Sequence, residues 1–327
     1  MKWGKVLGIT LLLVAVVLAT AAASDVFLGG RNLENVVRRS ALFGILSIGV
    51  AFVIATGGID LSIGSVICLV GVATPWLLVE QGWSVPLSLA VVLGSGVGLG
   101  LLHGLLITRL GLQPFVVTLC GLLLYRGAAR GLVNDRSQGF RGEFESLQWW
   151  AQGELPVLGF GVPVPLLVLI AVALAAAIVL NRTVYGRHLL ATGRNEEAAR
   201  LSGVPTARVI VVAYGICGAL SGLGGLLFVL DVGSAQPVDF GSFYELYAIA
   251  AAVLGGVSLR GGEAGVVGVL VGATLMQVLR NAIILVDAIP SHIEFAVIGL
   301  VILGGVAADE LVQRAVARRG RSRPLSS

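Results

Sequence analysis

The chain has 327 residues, 57% of them hydrophobic and only 12% charged, with a formal net charge of +4. A soluble domain carries about 25% charged residues, so this composition excludes a surface wetted all round and points to lipid as the outer solvent. The small basic excess does not indicate nucleic acid either, because lysine and arginine stand in short segments between apolar runs.

A helix needs about 20 apolar residues to cross a bilayer. On that measure spans are expected near 5–23, 40–57, 61–79, 86–108 and 115–132, then near 163–180, 209–231, 244–258, 264–286 and 293–309. The expected fold is therefore an all-α integral membrane protein of about ten transmembrane helices, several of them short, broken or re-entrant. Lys2 and Lys5 before Val6–Leu18, with the alanine-rich Thr20–Ser24 behind it, have the outline of a cleavable signal. An uncleaved first span is the preferred reading, since the run reaches far enough to cross. The 46 glycines suit helices that approach closely in lipid. Cys68, Cys120 and Cys217 lie inside apolar runs, too far apart for a metal motif, and read as small buried hydrophobes. No metal is expected.

The longest non-apolar stretch, 134–163, holds Asp135, Glu143, Glu145 and Glu154 with adjacent Trp149 and Trp150. It suits an external loop with an interfacial tryptophan anchor. Arg182, Arg187, Arg194, Arg200 and Arg208 crowd the loop 183–208, and Arg314, Arg318, Arg319, Arg321 and Arg323 crowd the tail 310–327. Basic loops stay in the cytoplasm, so that loop, the tail and the N-terminus are placed there, with Arg109 and Arg260. Arg31, Arg38 and Arg39 fall on the other side and oppose the assignment.

Asp60 is an ionisable residue between two apolar runs, in Thr56-Gly57-Gly58-Ile59-Asp60-Leu61-Ser62-Ile63-Gly64-Ser65. Such a group costs at least about 2.5–3.5 kcal/mol near hydrocarbon, so it is kept for a function or a partner. Gly57 and Gly58 can break a helix, and Asp60 and Ser62 can cap the next one; capping and lining a pathway are compatible roles for Asp60. Gly255-Gly256-Val257-Ser258-Leu259 echoes Gly57–Leu61 and supplies a second break at Gly255 and Gly256. Paired glycine interruptions mark transport pathways built from internal repeats, and chance in a glycine-rich chain is the competing reading. Farther along, Gly193 to Pro205 reads as a short helix: Asn195 can cap it, Glu196 and Glu197 suit its start, and Gly203 with Pro205 ends it. Ala198, Ala199 and Ser202 form a small-residue face beside Leu201, on which a partner protein could come close. A solvated loop helix is the bland alternative.

These segments together resemble the permease subunit of ATP-binding-cassette (ABC) sugar importers, the family of the ribose, xylose, arabinose and galactofuranose systems. The resemblance rests on Gly57-Gly58-Ile59-Asp60-Leu61-Ser62; on Gln113-Pro114-Phe115-Val116-Val117-Thr118-Leu119 with Tyr125-Arg126-Gly127; on the loop 186–203; on Tyr244-Glu245-Leu246 with Ala248–Ala251; on Leu254–Leu259 with Gly261-Gly262; and on Asn281. It covers about residues 35–310. His103 departs from it, standing where the family usually has asparagine before Gly104.

The resemblance implies one transmembrane permease domain over 1–327, in a bacterial inner membrane, that is not an enzyme and binds no cofactor. A cytoplasmic ABC ATPase would bind the ATP and dock on Gly193, Asn195, Ala198, Ala199, Leu201, Ser202 and Gly203. A periplasmic sugar-binding protein would deliver the cargo, and a second permease subunit, identical or not, would complete the pathway. No G-x-x-x-x-G-K-S/T loop is present. Asp60, Ser62, Ser65, Thr118, Tyr125, Glu245 and Asn281 are the pathway candidates, because polar side chains in spans tend to face a wet cavity; each is equally explained by an interhelical hydrogen bond. The alternatives are a related permease for branched-chain amino acids or another small polar solute, and an ion-coupled secondary transporter. His103, His188 and His292 are scattered, with no acid or metal companion to suggest catalysis.

Overall fold

Among the described residues, eight helices are long and apolar enough to cross a bilayer. The structure, a computed structural model, describes residues 3–157 and 160–286, with positions 296, 297, 299, 300, 303 and 304. Most of the span expected at 293–309, and the tail 310–327, lie outside the described residues. In chain order the helices are α1 (Trp3–Ala23), α2 (Gly30–Ala55), α3 (Ile63–Pro75), α4 (Val85–Leu110), α5 (Pro114–Val133), α6 (Glu145–Gln152), α7 (Val164–Arg182), α8 (Val184–Arg194), α9 (Glu196–Leu201), α10 (Thr206–Val232), α11 (Tyr244–Leu254) and α12 (Val266–Leu285). A wider turn, Trp76–Glu80, extends α3 past Pro75 and completes its crossing. Two small antiparallel pairs join β1 (Gln138–Gly139) to β4 (Ser234–Ala235), and β2 (Glu154–Val157) to β3 (Phe160–Pro163).

Local chemistry sets several boundaries. Prolines stand in the first turns of α4, α5 and α7, where their missing N–H is not needed. Gly111 and Gly233 end α4 and α10 in the left-handed conformation that glycine adopts freely. Two expectations are corrected. The span expected at 244–258 is only the 11-residue α11, about 16 Å long and unable to cross alone. The span expected from residue 40 begins at Gly30, so Arg31, Arg38 and Arg39 belong to α2 and not to a loop.

Partners explain why two of those arginines tolerate a helix. Arg38 is buried; its Nη1 donates to the Ala151 carbonyl at 2.6 Å and its Nη2 to Glu34 at 2.5 Å, with Glu154 at 3.6 Å. Arg39 pairs with Asp231 at 3.3 Å. Both charges are thus paired within the chain.

The core forms around α2 and α10. Nine-tenths of the best spanning window of α2 is buried (89%), against 17% for α1. α1 leans on α12 through Ile9, Leu275 and Leu279. Between α4 and α10 the helix backbones nearly touch: a Cβ on Gly96 or Gly100 would run into backbone of Gly218, Gly222 or Tyr214. Small residues at four-residue spacing permit that approach, which drives association where lipid removes the hydrophobic effect.

The two ends of the helices differ. At the α2 N-terminal end, Gln152 donates to the carbonyls of Leu230 and Asp231, Arg141 meets Glu80, and Trp149 and Trp150 stand exposed. There the Arg130 guanidinium binds both oxygens of Asp135, at 2.6 and 2.8 Å, and holds its carboxyl below the usual range. At the α2 C-terminal end lie residues 56–62, the helices α8 and α9, and the connection 255–265.

Candidate functional site

α2 stops because Gly57 turns left-handed (φ 86°), letting the Gly57 N–H reach the Ile54 carbonyl at 2.9 Å and the Gly58 N–H reach Val53 at 3.2 Å. α11 ends with the same double bond: Gly256 (φ 90°) to Val253, and Val257 to Ala252. The left-handed glycine is the first of the pair in one stretch and the second in the other. Gly57 therefore corresponds to Gly256, and the echoed segments share a stop signal without sharing register. Gly58 and Gly255 are needed for space: a Cβ would strike the Tyr214 hydroxyl at Gly58 and the Gly268 carbonyl at Gly255.

Beyond that stop, residues 56–62 run as irregular backbone between two spans. Backbone of this kind survives at membrane depth only where protein or a wet cavity satisfies it. Tyr214 Oη donates to the Ile59 carbonyl at 2.9 Å, and Thr118 Oγ1 lies 3.4 Å from the same oxygen. Asp60 is 2% exposed; its Oδ1 accepts from the Ser62 N–H at 2.9 Å and from Ser62 Oγ at 2.7 Å. The expected cap is thereby altered. Ser62 occupies the N-cap position of α3 but turns its hydroxyl back to Asp60, and no side chain caps the first turn. Asp60 closes the turn before the helix and does not cap the helix itself.

The neighbouring candidates gather around this turn. Ser65 donates to the Leu122 carbonyl at 2.7 Å, joining α3 to α5. Thr118 is fully buried and bonds mainly to Pro114 in its own helix, at 2.9 Å. Tyr125 Oη is 2.7 Å from His103 Nε2, joining α5 to α4. Glu245, in the first turn of α11, lies so close to Gly64 that a Cβ there would collide with its carboxylate. Asn281 does not join them. Its amide exchanges two hydrogen bonds with Asn32, at 2.8 and 3.0 Å, near the opposite end of α2.

Two participants, Tyr214 and Arg126, are not among the candidates expected from sequence. Tyr214 is the one tyrosine of the apolar α10. Arg126 donates from α5 to the Phe240 carbonyl at 2.6 Å, pinning the connection that leads into α11. The adjacency of Arg126 to Tyr125 was the available signal. Among the described residues no three or more His, Cys, Asp or Glu side chains gather as a metal site.

The short helix at 193–205 forms as α9, with the Asn195 side chain accepting from the Ala198 N–H at 2.9 Å. Its outward face is not the expected one. Ala199 is buried against the chain (6% exposed), and Leu201 is the protruding residue, at 80%. Ala198 and Ser202 remain outside with it, and Gly203, left-handed at φ 84°, turns the chain away. Gly193 packs inward: a Cβ would drive into the Ala55 carbonyl and the Gly262 amide, and that amide itself donates to Ala55 at 3.0 Å. A Cβ on Gly261 would strike both the Gly193 carbonyl and the Gly57 amide. Three segments thus share one junction: the end of α8, the stop of α2 and the α11–α12 connection.

A model of the branched-chain amino acid transport system / permease component family matches residues 32–306. Among curated proteins, the ribose import permease protein of Escherichia coli (strain K12) is 35% identical over 93% of this chain and 92% of its own. The fructose import permease protein of Bifidobacterium longum is 34% identical over 83% and 76%, and the xylose transport system permease protein of Escherichia coli (strain K12) 30% over 90% and 88%. No solved structure matches the chain.

Proposed function

The chain belongs to the branched-chain amino acid transport system / permease component family as a permease subunit of an ABC importer, and from that premise we propose that its cargo is a monosaccharide. The observation that carries this reading is the near-complete coverage by ribose and xylose permeases, at 30–35% identity. As a member of an import family it works with an ATPase and a substrate-binding protein; the permease is a transport subunit and not an enzyme.

The end bearing Arg109, Arg182, Arg187, Arg194, Arg200, Arg208 and Arg260 faces the cytoplasm of a bacterial inner membrane. The ATPase seats on α9 around Leu201, Ala198 and Ser202, and brings the ATP, so this chain needs no cofactor of its own. The binding protein delivers sugar at the opposite end. A second permease subunit faces α5, whose outer side presents Leu123 and Leu124 at 66% and 67% exposure. The conduit runs past Asp60, Ser62, Ser65, Thr118, Tyr125 and Glu245, all buried in this conformation. Nucleotide-driven movement of α9 passes through the Gly193–Ala55–Gly262 junction to the Asp60 turn and to α11, and so opens that seam. Asn281 contributes as a clamp between α2 and α12.

The test is uptake by vesicles holding the full transporter with its own binding protein. Labelled ribose, xylose or fructose should accumulate with ATP, and excess unlabelled sugar should abolish the signal. Uptake competed by leucine or valine and indifferent to sugars would overturn the monosaccharide reading.

A further inference from the structure

At the basic end a groove of about 760 Å3 opens between the last turns of α4 and the first turns of α10. Leu105, Val211 and Val212 give it apolar walls, and Arg109, Arg200 and Arg208 line it with them. No acidic side chain lines it. None of the three arginines makes a hydrogen bond or ion pair among the described residues, in contrast to Arg38, Arg39, Arg130 and Arg141 at the other end. The first-turn amides of α10 open beside them, adding partial positive charge.

The apolar part faces outward. Leu105 and Val212 are each 43% exposed, and Leu101 and Leu102 continue the same side of α4 at 37% and 45%. This surface belongs to two spanning helices, so it meets acyl chains. An apolar strip beside three guanidinium groups without a partner among the described residues has the polarity of one molecule class: a lipid with an anionic headgroup. Guanidinium groups bind phosphate oxygens by paired hydrogen bonds, and cytoplasmic leaflets carry anionic lipid.

We infer that this groove binds one anionic phospholipid, its phosphate held by Arg109, Arg200 and Arg208 and one acyl chain laid along Leu105, Val211 and Val212. The inference rests on the orientation given under Proposed function. The lipid fills the wedge between α4 and α10 beside the ATPase-facing helix, and fixes the angle at which that helix is presented.

The test is native mass spectrometry of the full-length permease, alone and with its ATPase, from equimolar phosphatidylglycerol and phosphatidylcholine. Phosphatidylglycerol should be retained over phosphatidylcholine by about tenfold per chain. The combined Arg109→Gln and Arg208→Gln variant should fall to the phosphatidylcholine level. Arg187→Gln with Arg260→Gln, which removes the same charge outside the groove, should retain the preference. Val211→Trp, which fills the apolar part and spares the arginines, should also lose it, so a folding defect in one variant does not decide the matter. Equal retention of the two lipids, or a preference untouched in the Arg109/Arg208 variant, overturns the inference. Displacement by millimolar inorganic phosphate would assign the site to a soluble anion, and displacement by the ATPase would assign it to that partner; either overturns it. Retention needs neither sugar nor ATP, so failure here is separable from failure of the transport reading.

Discussion

His103 and Tyr125 bury a 2.7 Å hydrogen bond between α4 and α5, while His103 Nδ1 has no partner among the described residues. Tyr125→Phe would leave the whole imidazole unbonded among helices. A buried polar group stripped of its partner costs roughly 1–3 kcal/mol, so the variant should melt several degrees lower in detergent. An unchanged Tm would show that the ring finds another partner. Asp60 separates charge from hydrogen bonding. Asp60→Asn keeps Oδ1 as acceptor for the Ser62 amide, so insertion and Tm should stay close to the parent. Asp60→Ala loses both bonds and should destabilise by about 1–3 kcal/mol. If Asp60→Asn melts normally but no longer supports uptake, the negative charge acts in passage itself; retained uptake restricts Asp60 to shaping the turn.

At the scale of elements, breaks and short helices were legible where their cause is local. Gly57 and Asp60 interrupt an apolar run, and Asn195 stands three residues before the amide it caps. What sequence could not supply was distant partners. Arg38 lies in a helix because it meets Ala151, 113 residues away, so hydropathy alone began α2 too late. Ala198 and Ala199 look equivalent as residues, and only packing shows that Ala199 is buried while Leu201 protrudes. The docking test therefore belongs on Leu201. Leu201→Asp should abolish co-purification of the ATPase while leaving membrane insertion and Tm intact, and unimpaired co-purification would remove α9 from the interface. Gly193→Val should behave differently. Its side chain would wedge α8 from Ala55 and Gly262, so the ATPase should still bind but hydrolyse ATP without moving sugar. Tight coupling in that variant would sink the junction as the transmission point.

At the scale of the whole molecule, several polar contacts tie distant parts of the described chain together, and the Asn32–Asn281 pair reaches far. It spans 249 residues and clamps α2 to α12 by two reciprocal bonds. Interhelical hydrogen bonds in membranes average about 0.6 kcal/mol with a maximum near 1.7. A double-mutant cycle of Asn32→Ala and Asn281→Ala should give a coupling energy in that range. A coupling indistinguishable from zero would return Asn281 to the conduit candidates.

The dependence of α1 on α12 has a consequence in time. α1 leaves the ribosome before α12, yet Ile9 packs on Leu275 and Leu279, encoded more than 260 residues later. At roughly 5–20 residues per second, α1 waits on the order of ten to fifty seconds before its partner is made. In that interval it is held by lipid or by the insertion machinery, and α2 through α11 assemble beside a neighbour that has not yet docked. Ribosome stalling just before residue 266 should leave α1 accessible to a crosslinking lipid, and release of α12 should end that access.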